Sequence, residues 1–162
     1  MAVAAGQKVT ASLVNSLQGV SVVGGLVRIT NAGSTSGSTE LAWATTPTLS
    51  LAASTQYVIE VEVQWLEEAA NLNTYVFRLR QTNISGSILG GAICQPEPAS
   101  GGAPGGPWTH RFQYPFNTGV AVNQAYCGTV QRITTTTGSC QVAVPSSIIV
   151  KAVGPAGILS TA

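Results

Sequence analysis

His110 is the only histidine of the chain and stands in WTHRFQYPF, residues 108–116. An imidazole is the usual general base near neutral pH, but it needs a nucleophile beside it and a carboxylate to hold the ring. The chain has no Asp, and its acids are Glu40, Glu60, Glu62, Glu67, Glu68 and Glu97. Trp108, His110, Phe112, Tyr114 and Phe116 alternate with Thr109, Arg111 and Gln113. That period places His110 on the apolar face of a strand, as a packed or interface residue. GSTSG at 33–37 has the residues of a nucleophile elbow but not its G-x-S-x-G spacing. No catalytic residue is expected.

Cys94, Cys127 and Cys140 form no CxxC pair, and with one histidine they do not make a closed zinc site. If TTTTG at 134–138 turns between two strands, Cys140 stands opposite Gln131 or Arg132. Cys127 then lies roughly 13–16 Å farther along, whereas a disulfide needs Cα atoms within about 7 Å. Buried free thiols are expected. Glu67 and Glu68 are adjacent carboxylates in an expected turn, and a cation would want more oxygen ligands. Asn83-Ile84-Ser85 matches the glycosylation sequon, a chance match unless the chain is secreted. No metal and no cofactor are expected.

Charged residues make up 8% of the 162-residue chain, against a usual share of about a quarter, and the net charge is +1. Lys and Arg are scattered singly, without the basic patch or stripe of a nucleic-acid binder. Hydrophobic content of 44% and a mean hydropathy of +0.28 exclude a disordered chain. No run approaches the roughly 18 apolar residues of a membrane span, and the N-terminus lacks the pattern of a signal peptide. A surface rich in Thr, Ser, Gly, Ala and Gln suits a subunit buried among neighbours in a large assembly.

The elements that position these residues read as strands. Tyr57, Ile59, Val61, Val63 and Trp65 alternate with Val58, Glu60, Glu62 and Gln64, and Tyr75, Phe77 and Leu79 with Val76, Arg78 and Arg80. A hairpin centred on Ala70 would set Trp65 opposite Tyr75, Glu62 opposite Arg78 and Glu60 opposite Arg80, so that both faces agree on one register. Further strands are expected at 20–30, 39–44, 47–51, 86–94, 108–116, 124–134 and 139–152. Between them lie turn clusters, the longest the Pro- and Gly-rich QPEPASGGAPGGP at 95–107. Short alternating strands at this spacing predict one antiparallel β-sandwich, jelly-roll-like, over residues 21–162.

Residues 1–20 differ. In VTASLVNSLQGV, Val9, Leu13, Leu17 and Val20 recur at helical spacing, with Thr10 as N-cap and Gly19 at the stop. Such a short amphipathic helix is marginal alone. Its apolar stripe is covered either by a neighbouring protein, making 1–20 an attachment arm, or by its own sandwich.

Several segments, in order, resemble the small β-sandwich virion proteins of tailed bacteriophages of actinobacteria, often labelled minor tail proteins. AGQKVTASLVNSL resembles that family's opening segment, LSLAASTQYVIEVEVQW and FRLRQTNISGSIL its central strands, and TGSCQVAV with SSIIVKAVGP its closing hairpin. Lys151 and Ala152 depart from the pattern, standing where an acid is common. The resemblance implies a non-enzymatic structural part of a virion, assembled in the host cytoplasm and carried on the tail, with a capsid (head) decoration protein as the alternative. Its implied partners are further copies of itself, a trimer being one candidate state, and other virion proteins, with no nucleic acid and no membrane insertion. A carbohydrate- or receptor-binding module is the alternative from another class. Trp43 and Trp108 are then the candidate surface contacts, for a host glycan.

Overall fold

The computed structural model describes residues 21–28, 34–35, 38–67, 73–95, 107–134 and 139–155. Among the described residues eleven strands follow one another: β1 (Ser21–Arg28), β2 (Ser34–Thr35), β3 (Leu41–Thr45), β4 (Leu49–Leu51), β5 (Thr55–Glu67), β6 (Tyr75–Gln81), β7 (Ile88–Cys94), β8 (Trp108–Thr118), β9 (Val122–Gln124), β10 (Tyr126–Arg132) and β11 (Cys140–Pro155). Two features were absent from the sequence-based expectation. β2 is a further short strand, and the stretch expected as one strand at 124–134 is divided between β9 and β10.

The pairing is that of one long hairpin rolled up. The strands pair antiparallel from the two ends inward: β1 and β2 with β11, β3 with β10, β4 with β9, β5 with β8, and β6 with β7. Rolling adds two further ladders, β5 on β11 and β6 on β10. They close a first sheet of order β1-β11-β5-β8 and a second of order β3-β10-β6-β7. With β2 also on β11 the first sheet has five strands and the second four, and β4 and β9 form a separate two-stranded ladder. The nested order makes a jelly roll, the expected fold class.

Alternation is what lets the sheets face each other. Tyr57, Ile59, Val61, Val63 and Trp65 of β5 are buried, as are Tyr75, Phe77 and Leu79 of β6. Each such side chain stabilises the fold by roughly 1.5–3 kcal/mol through the area it removes from water. Trp65 meets Tyr75 at 5.4 Å and Phe77 at 5.7 Å between ring centroids.

Those contacts correct the expected hairpin. β5 and β6 are not neighbours but belong to different sheets, so Trp65 and Tyr75 meet across the core and not side by side. Glu62 stands opposite Arg111, not Arg78, and Glu60 opposite Gln113, not Arg80. The two strands did share a matching pattern, because each presents one apolar and one charged face. That match fixes faces, and it does not fix neighbours.

β11 carries an irregularity between Ala143 and Ser147, which includes the cis Val144–Pro145 bond. Ser146 fills the gap in the ladder: its buried hydroxyl accepts from the Gln64 N–H at 2.9 Å and donates to the Ala143 carbonyl at 2.7 Å.

Candidate functional site

The residues singled out in the sequence do not converge. His110 takes its place on the inward face of β8, half-buried and in register with Val63. Cys94, Cys127 and Cys140 are buried, and none of them is in a disulfide among the described residues. The strand-offset argument against a bond between the last two does not hold, however, because β10 and β11 belong to different sheets. Burial pushes the Cys94 thiol up to about 11. Among the described residues no three His, Cys, Asp or Glu side chains gather as metal ligands. Val9, Leu13, Leu17 and Val20 lie outside the described residues, as do Glu68 and the side chain of Glu67.

Trp43 is not a surface contact. It is 2% exposed, and its ring lies against Gly128, where an added Cβ would fall 2.5 Å from the indole. The missing side chain of Gly128 makes the slot that takes the ring in. Trp108 is half-buried and packs on Trp65 at 4.9 Å, extending the core aromatics toward the edge of the sandwich.

Charge is gathered on the two outward faces. Glu40, just before β3, accepts from Arg80 Nε at 2.7 Å and Nη2 at 2.6 Å, and Arg78 Nη1 stands 3.2 Å away. The Thr129 hydroxyl donates to it as well. The hydrogen bonds from Arg80 outweigh the desolvation of burial and, with Thr129 and Arg78, hold the Glu40 carboxyl at about 2. Arg78 also donates to Gln131 Oε1 at 2.7 Å, and Arg80 to the Gly86 carbonyl at 2.8 Å. This is a clamp that fastens the entry to β3 onto β6 and β10. On the first sheet Glu62 accepts from Arg111 at 2.9 Å, and Glu60 pairs with Lys151.

A built surface lies at the end of the sandwich where Thr118 pairs with Thr55, and Tyr126 with Gln81. The β6–β7 turn is tight. Asn83 Oδ1 accepts from the Ser85 N–H at 2.9 Å, and Thr82 has φ 67°. A Cβ at Gly86 would fall 1.6 Å from the Gln81 carbonyl, so only glycine fits. The sequon Asn83-Ile84-Ser85 is thus an exposed turn whose asparagine is already engaged.

That turn is stitched to the segment before β10. Gln81 Nε2 donates to Gln124 Oε1 at 2.8 Å, and Gln124 Nε2 donates to Thr82 Oγ1 and the Ala125 carbonyl, each at 2.8 Å. Beside the stitch opens a pocket of about 410 Å³, whose apolar lining is Leu89, Tyr114, Phe116, Val120, Val122 and Tyr126. Phe116 stacks between Tyr57 at 5.4 Å and Tyr114 at 6.1 Å, which fixes the aromatic part. Sequence reasoning missed this site. The available signal was NTGVAVNQ at 117–124, where two valines alternate among turn residues.

No family model and no curated protein matches the chain. Among solved structures, it is similar to the infectious bursal disease virus Gt strain structure, with a TM-score of 0.44 and 9% identity over 82% of this chain and 32% of that one. The VP2 subviral particle of the same virus gives a TM-score of 0.44 and 11% identity over 85% and 38%. The Eiger TNF of S. frugiperda gives 0.39 and 11% over 87% and 94%. The chain therefore spans about a third of the length of the viral chains it matches. Likeness at these scores carries no weight for function.

Proposed function

We infer that the chain is a non-enzymatic structural subunit of a virus particle, tail-associated, held to the particle by residues 1–20 and packed against further copies of itself. The observation that carries this is apolar exposure on the edge strands of both sheets. β1 closes one edge of the first sheet and exposes Val22 (66%) and Val27, and β7 closes one edge of the second and exposes Ile88 and Ile93 (68%). Large aliphatic side chains set along two edges invite a protein neighbour, because water contact there is unfavourable and an edge also offers free backbone groups. The low charge of the chain points the same way, and the order of segments that resemble the minor tail proteins supports the tail placement.

The test is localisation in particles. An antibody to the folded domain should decorate purified virions at the tail, and the protein should run as an oligomer by light scattering. Decoration of the head would replace the tail placement with capsid decoration. A monomeric protein absent from purified particles would overturn the proposal as a whole.

A further inference from the structure

The pocket at the stitched end presents polar groups that the fold leaves uncommitted. Tyr126 is only 3% exposed, yet it lines the pocket, and its hydroxyl makes no hydrogen bond among the described residues. Lining the pocket, that hydroxyl is open to a ligand in place of water. The hydroxyl of Tyr114 and the amide of Asn117, both lining the same pocket, are also unbonded among the described residues. Gln81 donates through Nε2 and keeps Oε1 free. Burial, with Tyr114 and Tyr57 nearby, pushes the Tyr126 phenol above its ordinary value, so it stays a neutral donor and acceptor at physiological pH.

The chemistry of the lining selects a ligand class. Phenols and an amide both donate and accept, which suits hydroxyl groups that do the same. No Lys, Arg, Asp or Glu is among the lining residues, so nothing there compensates a charged ligand. Leu89, Phe116, Val120 and Val122 supply the apolar remainder, suited to the C–H faces of a ring. The volume of about 410 Å³ falls in the range of small-molecule sites. The hydrogen bonds of Gln124 hold the rim in place before any ligand arrives, which lowers the ordering cost of binding.

We propose that this pocket binds a neutral sugar ring, through Tyr114, Asn117, Tyr126 and Gln81. The site is distinct from Trp43 and Trp108, and it stands apart from the particle reading, since incorporation and sugar binding can fail separately. The test is saturation-transfer NMR on the full chain with maltose, cellobiose, lactose and N-acetyllactosamine at millimolar concentration, and glucose 6-phosphate as the charged comparison. At least one neutral sugar should receive saturation. Tyr126→Phe and Asn117→Ala should each weaken its binding about fivefold or more while thermal unfolding stays that of the parent, as expected for loss of one hydrogen bond. No transfer to any of the four sugars, equal transfer in both variants, or a preference for glucose 6-phosphate would overturn the proposal.

Discussion

At the scale of single residues, charged side chains serve structure. Glu40 is the clearest case, because its carboxylate is bound by Arg80, Thr129 and Arg78 and its pKa is lowered to about 2. A group depressed in the folded state stabilises it above the unfolded pKa, and the contribution is lost as pH falls toward the folded one. The melting temperature should therefore drop as pH is lowered from about 4.5 to about 2. Glu40→Gln should cost roughly 1–3 kcal/mol at pH 7, since two arginines lose the carboxylate charge and one of its acceptor oxygens, and should flatten the fall over that acid window. Equal acid sensitivity in the variant would show that other carboxylates set it. Cys94 gives a second check. Its thiol is buried and raised to about 11, and only the thiolate reacts, so iodoacetamide should leave Cys94 unmodified in the native protein and label it after unfolding.

At the scale of elements, the informative failure is the pairing of β5. Its alternation was legible, and so was the burial of Tyr57 through Trp65. Its neighbours were not, because charged faces of either sign recur on several strands and any of them completes a plausible register. A double-mutant cycle separates the alternatives: Glu62 and Arg111 should show coupling, reduced by salt, while Glu62 and Arg78 should show none. Coupling of the second pair would restore the hairpin. The β3–β10 ladder offers another test, since Trp43 fills the space that Gly128 leaves empty. Gly128→Ala should destabilise by roughly 1–3 kcal/mol through overpacking, read as a lower denaturant midpoint.

At the scale of the whole molecule, nested pairing makes the two ends of the described chain neighbours, with Ser21 in register with Ala152. Ser21, the first described residue, lies on an edge strand that exposes Val22. Burying Val9, Leu13, Leu17 and Val20 would stabilise association by roughly 1.5–3 kcal/mol per side chain before the costs of ordering. Leu13→Glu should leave the melting temperature unchanged and abolish incorporation into particles, because a charge would then face an apolar groove. A marked loss of thermal stability with normal incorporation of the folded fraction would assign the stripe to the sandwich itself.

By itself the sequence determined most of the strands, the inward faces of β5, β6 and β8, and the all-β sandwich class. A period of two dictates which side chains leave water whatever strand lies alongside. Only the tertiary structure decided that β5 lies between β8 and β11, that Trp43 is interior, and that Tyr114, Asn117, Tyr126 and Gln81 surround one pocket. These outcomes depend on pairing between strands far apart in the chain, and on gaps such as the one above Gly128 that exist only once both sheets have closed.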